Sequence, residues 1–296
     1  MSAGSIRDLG YKRYAGGRRA QSTRWRVIVR AQVADAWKTW WRYKMALGWA
    51  VVIALVVGAM MYIGRALPLP QGGKWGILGN VLDGLPPIAV PWLCRVAFLV
   101  GLTVAAGTIA GDAQVGAFTF YFSRPVRPID YVAGKLGGVF LLMFLIIGAP
   151  LVALTVFRCG LADDSAELMR CLPMVGKALI VGVLGAAVFT AVPVGLSAVV
   201  GRRRNAIALY ATYYLVIGSM ALAIGVAASP ALKAFDLLIA VQSVGRHLFD
   251  VQFLPGMLDA APLGWSLASI GLHVAAGVAL AWWQVADRAH AGVGGS

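Results

Sequence analysis

Residues 136–157 read LGGVFLLMFLIIGAPLVALTVF, bounded by Lys135 and Arg158 with no charge between them. At 1.5 Å rise per residue, about 20 apolar residues cross the roughly 30 Å hydrocarbon core of a bilayer, so this run is long enough to span a membrane as a helix. Working outward, five further windows of the same kind appear at 45–64, 88–111, 178–200, 206–228 and 265–286. Only the second holds a formal charge, Arg95, placed near one end where its stem would let the guanidinium reach the interface. The first begins after 44 residues and is followed by Arg65, Pro68 and Pro70 instead of a small-residue cleavage site, so it reads as an anchor and not as a removed signal. The whole chain agrees with these windows. Its 296 residues are 60% hydrophobic and 13% charged, with mean hydropathy +0.78, whereas a soluble domain carries about 25% charge. The 36 glycines and 13 prolines are spread through apolar runs, which excludes disordered and collagen-like classes.

The excess of 26 Lys and Arg over 12 Asp and Glu would suggest nucleic acid in a soluble protein; here it follows topology. Six crossings put both termini on one side. That side holds eighteen of the 26 basic residues: eleven from Arg7 to Lys44, then Arg124, Arg127 and Lys135, then Arg202, Arg203 and Arg204, and finally Arg288. The positive-inside rule therefore predicts cytoplasmic termini and no nucleic-acid partner. The expected fold is an all-α polytopic membrane protein. A segment 1–23 precedes an interfacial helix 24–43, a six-helix transmembrane domain 44–286 and a tail 287–296. Within 24–43, Trp25, Ile28, Val29, Val33, Ala36, Trp37 and Trp40 share a face, with Arg26 and Arg30 on its flank. Such a stripe beside basic residues describes a helix lying in the headgroup plane of the bilayer. The outer segment 229–264 is expected to form one or two re-entrant or surface-lying helices, with Leu232, Phe235, Leu238, Ile239 and Leu248 on the apolar side. Lys233, Asp236, Gln242 and Arg246 would form the polar side. Cys159 and Cys171 fall in one expected outer loop, 158–177, where an oxidising compartment would let them close a short disulfide worth about 3 kcal/mol.

The search for chemistry returns mostly absences. The mid-span regions hold no Asp, Glu, Lys or Arg, so an ion-coupled transporter has no titratable relay, and His273 is the sole histidine within a span. A lone histidine and scattered cysteines supply no metal site. No GxSxG, HExxH or GxxxxGK[ST] pattern occurs, so the chain is not expected to be an enzyme, and any ATP and Mg would be held by a partner. Thr103, Thr108, Tyr210, Tyr213, Tyr214 and Ser219 are candidates to line a polar route, or equally to bond helix to helix. Gly107-x-x-x-Gly111 and the Gly182, Gly185, Ala186 cluster predict close helix approach. The segment from Asp112 to Lys135, DAQVGAFTFYFSRPVRPIDYVAGK, interleaves charges with aromatics. It reads either as a docking surface for a protein partner or as a loop lying on headgroups.

Within that segment Asp112, Gly116, Phe120-Tyr121-Phe122-Ser123-Arg124-Pro125, Asp130-Tyr131-Val132 and Gly134-Lys135 resemble the "D...G....YLSRP....DYVLGK" signature of permease subunits of type-2 ABC exporters. The six spans, the preceding amphipathic helix and the DLGYKRY stretch from Asp8 to Tyr14 resemble that family too. The resemblance implies a bacterial inner-membrane permease that pairs with a second copy or a paralogue and binds two separate ABC ATPase subunits. It further implies that 24–43 is an elbow helix and that 112–135 includes a coupling helix seated on the ATPase. The turn 201–205, with Arg202 and Arg203, would make a second contact. Arg124, Asp130 and Tyr131 would anchor the coupling. Its cargo stays open among lipids, amphiphiles, peptides, glycans and ions. The compact outer loops depart from members that carry large outer domains. Two rival readings remain. One is a non-transporting scaffold or assembly subunit of an envelope complex; the other is a lipid-modifying enzyme built on His247 and Asp250.

Overall fold

The computed structural model describes residues 23–38, 40–66, 77–123, 126–251 and 258–293. Among these residues every regular element is helical. Helix α1 (Arg24–Lys38) leads through a π-helical turn, Trp40–Lys44, into α2 (Met45–Ala66). The second crossing is assembled from α3 (Ile77–Val100), a π-helical turn Gly101–Ala105 and α4 (Thr108–Gln114). After the short α5 (Ala117–Phe122) come two long helices, α6 (Pro128–Gly160) and α7 (Ser165–Val199). The fifth crossing joins α8 (Arg203–Thr212), a π-helical turn Tyr213–Gly218 and α9 (Ser219–Ala227). A 3-10 turn, Pro230–Phe235, and α10 (Leu237–Leu248) then lead to α11 (Leu263–Val293).

Among the described residues six helices are long and apolar enough to cross a membrane: Met45–Ala66, Gly84–Gln114, Pro128–Gly160, Ser165–Val199, Arg203–Ala227 and Leu263–Ala289. The chain is thus built as a multi-pass membrane protein, and each expected window lies largely inside one of these helices. The second, third and fourth crossings form the centre, 67%, 56% and 67% buried, while the first, fifth and sixth are only 22%, 11% and 22% buried. Small residues set the central contacts. A Cβ on Gly182 of α7 would lie 2.5 Å from the Gly148 Cα of α6, and one on Gly195 would lie 2.6 Å from the Gly277 Cα of α11. The Gly182 cluster therefore acts as expected. The Gly107-x-x-x-Gly111 pair does not bring helices together, because Gly107 accommodates the Arg203 side chain and Gly111 has open space beside it.

Several expectations are corrected. The sequence predicts a loop over 158–177, yet α6 runs to Gly160 and α7 starts at Ser165, leaving only 161–164 between them. The cause is local: Asp164 caps α7 by accepting the Glu167 N–H at 2.6 Å, while the Glu167 carboxylate accepts the Asp163 N–H at 3.1 Å. The pair resembles a capping box, with Glu167 reaching the amide one residue before the N-cap. Cys159 and Cys171 are not joined in a disulfide. Cys159 sits in the last turn of α6 and Cys171 in the second turn of α7, so helical rise alone offsets them by roughly 7 Å. That offset already consumes the Cα separation a disulfide tolerates, about 7 Å at most.

The expected two-sided pattern over 229–264 is not observed. In the Pro230–Phe235 turn Lys233 is buried while Leu232 and Phe235 are exposed, and α10 is buried on nearly every side, Ile239, Gln242 and Arg246 included. Arg246 donates from Nε to the Val251 carbonyl at 3.3 Å and from Nη1 to the Leu258 carbonyl at 2.5 Å. The helix packs against α3, α7 and α11, so both its apolar and its polar groups lie inside the bundle, where a polar group needs a protein partner. At the same end of the bundle Arg65 pairs with Asp163 and, at 2.9 Å, with Glu167; Arg158 also meets Glu167 at 2.9 Å. This network fastens α2 to the α6–α7 turn.

Candidate functional site

The opposite end gathers α1, α5, the start of α6 and the last turns of α7 and α11. Helix α1 lies along α6: a Cβ on Gly134 would meet Ile28 at 2.6 Å, and one on Gly138 would meet Gln32 at 2.7 Å. Ile28 and Ala36 are buried in this contact, while Trp25 and Trp37 remain 37% and 39% exposed. The stripe expected to face headgroups therefore packs mostly on protein, leaving Trp25, Trp37, Arg26 and Arg30 at its margin. The Trp40 side chain falls outside the described residues. Tyr43 fixes the connection to α2 by donating to the Leu142 carbonyl of α6 at 2.9 Å.

The motif residues converge on one carboxylate. Asp112 ends the second crossing and accepts the Tyr131 hydroxyl at 2.6 Å and the Lys135 ammonium at 2.9 Å. Tyr131 is fully buried, Lys135 is 8% exposed, and Lys135 also donates to Gln32 Oε1 at 3.3 Å and lies 5.6 Å over the Tyr131 ring. Tyr131 and Lys135 are i and i+4 on α6, so they present together to Asp112. The Asp112-Tyr131-Lys135 cluster thus locks the second crossing to the third across the segment between them, and Gln32 extends it to α1.

Between these anchors the chain makes a second turn and a short helix. Gly116 has φ +67°, a left-handed conformation that costs glycine little. Its carbonyl accepts from Thr119 N at 3.3 Å and Thr119 Oγ1 at 2.7 Å, starting α5. Ser123 closes α5, donating from N to Thr119 O and from Oγ to Phe120 O, both at 3.0 Å. Phe118, Tyr121 and Phe122 turn inward, with ring centroids 5.5, 5.2 and 6.3 Å from Tyr131. Burial, reinforced by Asp112, raises the Tyr121 phenol above its ordinary range and keeps it protonated. Outward stand Val115 at 77%, Phe120 at 58% and Ile129 at 58% exposure. The sequence presents all the aromatics as one surface; the structure divides them into an inner cluster on Tyr131 and an outer patch centred on Phe120. Arg288 of α11 lies 5.7 Å over Phe118 and donates to the Ala198 carbonyl at 2.8 Å, tying α5 to the ends of α7 and α11. Asp130 sits in the first turn of α6, where its charge suits the helix N-terminus, and makes no side-chain bond among the described residues. The bonds that hold this segment internally come from Asp112, Tyr131 and Lys135. Arg124 and Pro125 lie outside the described residues.

Arg203 is brought to the same end and Arg202 is not engaged. The Arg203 N–H donates to Gln114 Oε1 at 3.1 Å, and its Nη2 donates to the Thr103 carbonyl at 3.2 Å; Arg202 is exposed. A polar cavity of about 390 Å³ lies among Gln32, Thr103, Asp112, Gln114, Lys135 and Arg203. Ser197, which the sequence does not single out, accepts from Ile109 N at 3.1 Å and Ala110 N at 3.0 Å. The π-helical turn and the break at Ala106 and Gly107 free these amides, and α7 supplies the acceptor. Gln32 was legible in principle: a polar residue four positions from Ile28 and from Ala36 interrupts an apolar face and calls for a buried partner.

The candidate route residues divide. Thr103 and Thr108 bond to carbonyls of their own helix. Tyr210 is fully buried against Gly101, with its hydroxyl unbonded among the described residues. Tyr213 bonds His273, whose Nδ1 is 2.7 Å from the Ser269 carbonyl; that contact assigns the proton to Nδ1 and makes Nε2 the acceptor. Tyr214 and Ser219 line a cleft of about 650 Å³ between α3, the fifth crossing and α10. His247 and Asp250 border a separate cavity of about 400 Å³, and His247 Nδ1 meets the Ser243 carbonyl of its own helix at 2.8 Å. Among the described residues no cluster of three or more His, Cys, Asp or Glu suits a metal. No protein-family model matches the chain, and no curated protein matches it.

Proposed function

We propose that this chain is the transmembrane permease subunit of an ATP-driven ABC exporter of a bacterial inner membrane, with both termini cytoplasmic. It forms half of a translocation pathway with a second copy or a paralogue. ATP and Mg act in two partner ATPase subunits, which dock on the segment between the second and third crossings. The observation that carries this reading is the build around α5: a short helix with Phe120 facing out, flanked by the exposed Val115 and Ile129, and held from behind by Tyr131 and the Asp112-Lys135 ion pair. Aromatic and aliphatic anchors on a rigid base are what a protein partner grips. A helix fastened to two crossings at once transmits a push on its outer face to both of them. Force delivered this way needs no titratable relay within the membrane.

The test is purification through a tag on this chain from its native membrane. An ATPase subunit is expected to co-elute with the wild type and to be lost with Phe120→Asp, while Met169→Asp at the other end of the bundle keeps it. Elution without any ATPase, or retention of the ATPase by Phe120→Asp, would return the chain to the scaffold reading.

A further inference from the structure

The cleft between α3, the fifth crossing and α10 is walled by Trp92, Phe98, Leu99 and Leu215 and carries one exposed cation, Arg95. Trp92, Leu99 and Leu215 are each more than half exposed, so the cleft opens sideways toward the bilayer. The guanidinium lies 4.8 Å over the Trp92 ring and makes neither a hydrogen bond nor an ion pair among the described residues. On the same wall Asp236 caps α10 by accepting the Ile239 N–H at 3.0 Å and feels the Arg95 charge without forming an ion pair with it. The Tyr214 ring stacks on Phe98 at 4.0 Å, and its hydroxyl has no partner among the described residues. A cation within a span is costly and calls for an anion, and a guanidinium offers a fork of donors suited to carboxylate or phosphate. The volume falls within the range of small-molecule sites.

We infer that this cleft binds an anionic amphiphile from the membrane, its acidic head on Arg95 and its apolar tail along Phe98, Leu99 and Leu215. The inference deepens the permease reading and rests on it, naming the substrate class that the pathway half accepts. Tyr214 would supply a second donor to the head, and Trp92 would hold the guanidinium in place by stacking.

The test uses the full chain in a neutral detergent and the fluorescent probe 11-(dansylamino)undecanoic acid, compared with its uncharged methyl ester. The wild type is expected to bind the acid about tenfold more tightly than the ester, the scale of one charge-assisted contact. Arg95→Gln should abolish that preference, Arg95→Lys should keep most of it, and the exposed Arg170→Gln should leave it intact. Equal affinity of the wild type for acid and ester, or a preference that survives Arg95→Gln, would overturn the inference. The wild-type comparison decides the matter even if Arg95→Gln does not fold. Inorganic phosphate and acetate serve as competitors; displacement of the probe by either at millimolar concentration would mean a simple anion site and would also overturn it. ATPase co-elution is read on the same preparations. Loss of the acid preference with the ATPase still bound rejects the substrate class alone, whereas an Arg95-dependent preference without any ATPase rejects the permease reading and leaves the site.

Discussion

Replacing Asp112 with Ala removes one carboxylate and strands two buried groups. The Lys135 ammonium, 8% exposed, keeps only Gln32 as a polar partner, and the Tyr131 hydroxyl, fully buried, loses its acceptor. A hydrogen bond to a charged acceptor is worth about 1.5–3 kcal/mol, and removing one member of a buried ion pair costs about 3–5 kcal/mol. The two figures describe overlapping contacts, so the expected loss is about 3–5 kcal/mol. Taking the charge away as well should recover part of it: Asp112→Ala with Lys135→Met leaves no unpaired buried cation and is expected to regain about half. Asp112→Asn should fall between wild type and Ala, since the amide oxygen still accepts from Tyr131. The assay is loss of the gel-filtration peak after heating in detergent, with limited proteolysis reporting whether α5 has come loose. For a chain this long, 1 kcal/mol corresponds to about 2–4 °C, so Asp112→Ala should lower the apparent midpoint by roughly 6–20 °C. A drop below about 2 °C, or a double variant no more stable than Asp112→Ala, would refute the claim that this cluster ties the second crossing to the third.

Gly182→Ala should destabilise by about 1–3 kcal/mol, read as a lowered thermal midpoint, because its Cβ would lie 2.5 Å from the Gly148 Cα and force α6 and α7 apart. Maleimide labelling of protein prepared without reductant should modify Cys159 faster than the buried Cys94 and Cys171, and unfolding should expose three reactive thiols; a single one would show the bridge to be formed. Burial raises the Asp236 carboxyl above its ordinary range, with Ile239 and Leu238 amides and Arg95 partly offsetting it. Its contribution to stability is therefore present below the unfolded carboxylate value of about 3.9 and is lost as pH rises through the raised folded value. Asp236→Asn keeps the cap on α10 and removes the charge, so its midpoint relative to wild type should increase from pH 4 to pH 8; a constant difference would contradict this.

The six crossings are legible because burial in lipid demands long uncharged runs, and LGGVFLLMFLIIGAPLVALTVF admits few other readings. Their ends are not legible from charge alone. Windows cut at Lys135 and Arg158 miss that α6 continues through both, since Asp112 and Glu167 neutralise these cations inside the helical fold. The α6–α7 turn carried a readable signal, Asp164 followed three residues later by Glu167, whose capping bonds replace a long loop with a tight one. Helix α10 misleads because an amphipathic pattern suggests one exposed side, whereas here three neighbouring helices enclose Gln242 and Arg246 together with Ile239 and Val244. In the candidate site, Asp112, Tyr131 and Lys135 stand out as a spaced motif. Ser197 and Arg203 gain partners only through the break in the second crossing, which no pairwise spacing announces.

The account stands most directly on whether the outer face of α5 touches an ATPase. A photo-crosslinking amino acid at position 120, in cells of the native organism, is predicted to capture an ATP-binding subunit, and the same probe at the exposed position 169 is predicted to capture none. Capture at 169 and not at 120, or no ATPase adduct at either position, would contradict the coupling role assigned to this segment.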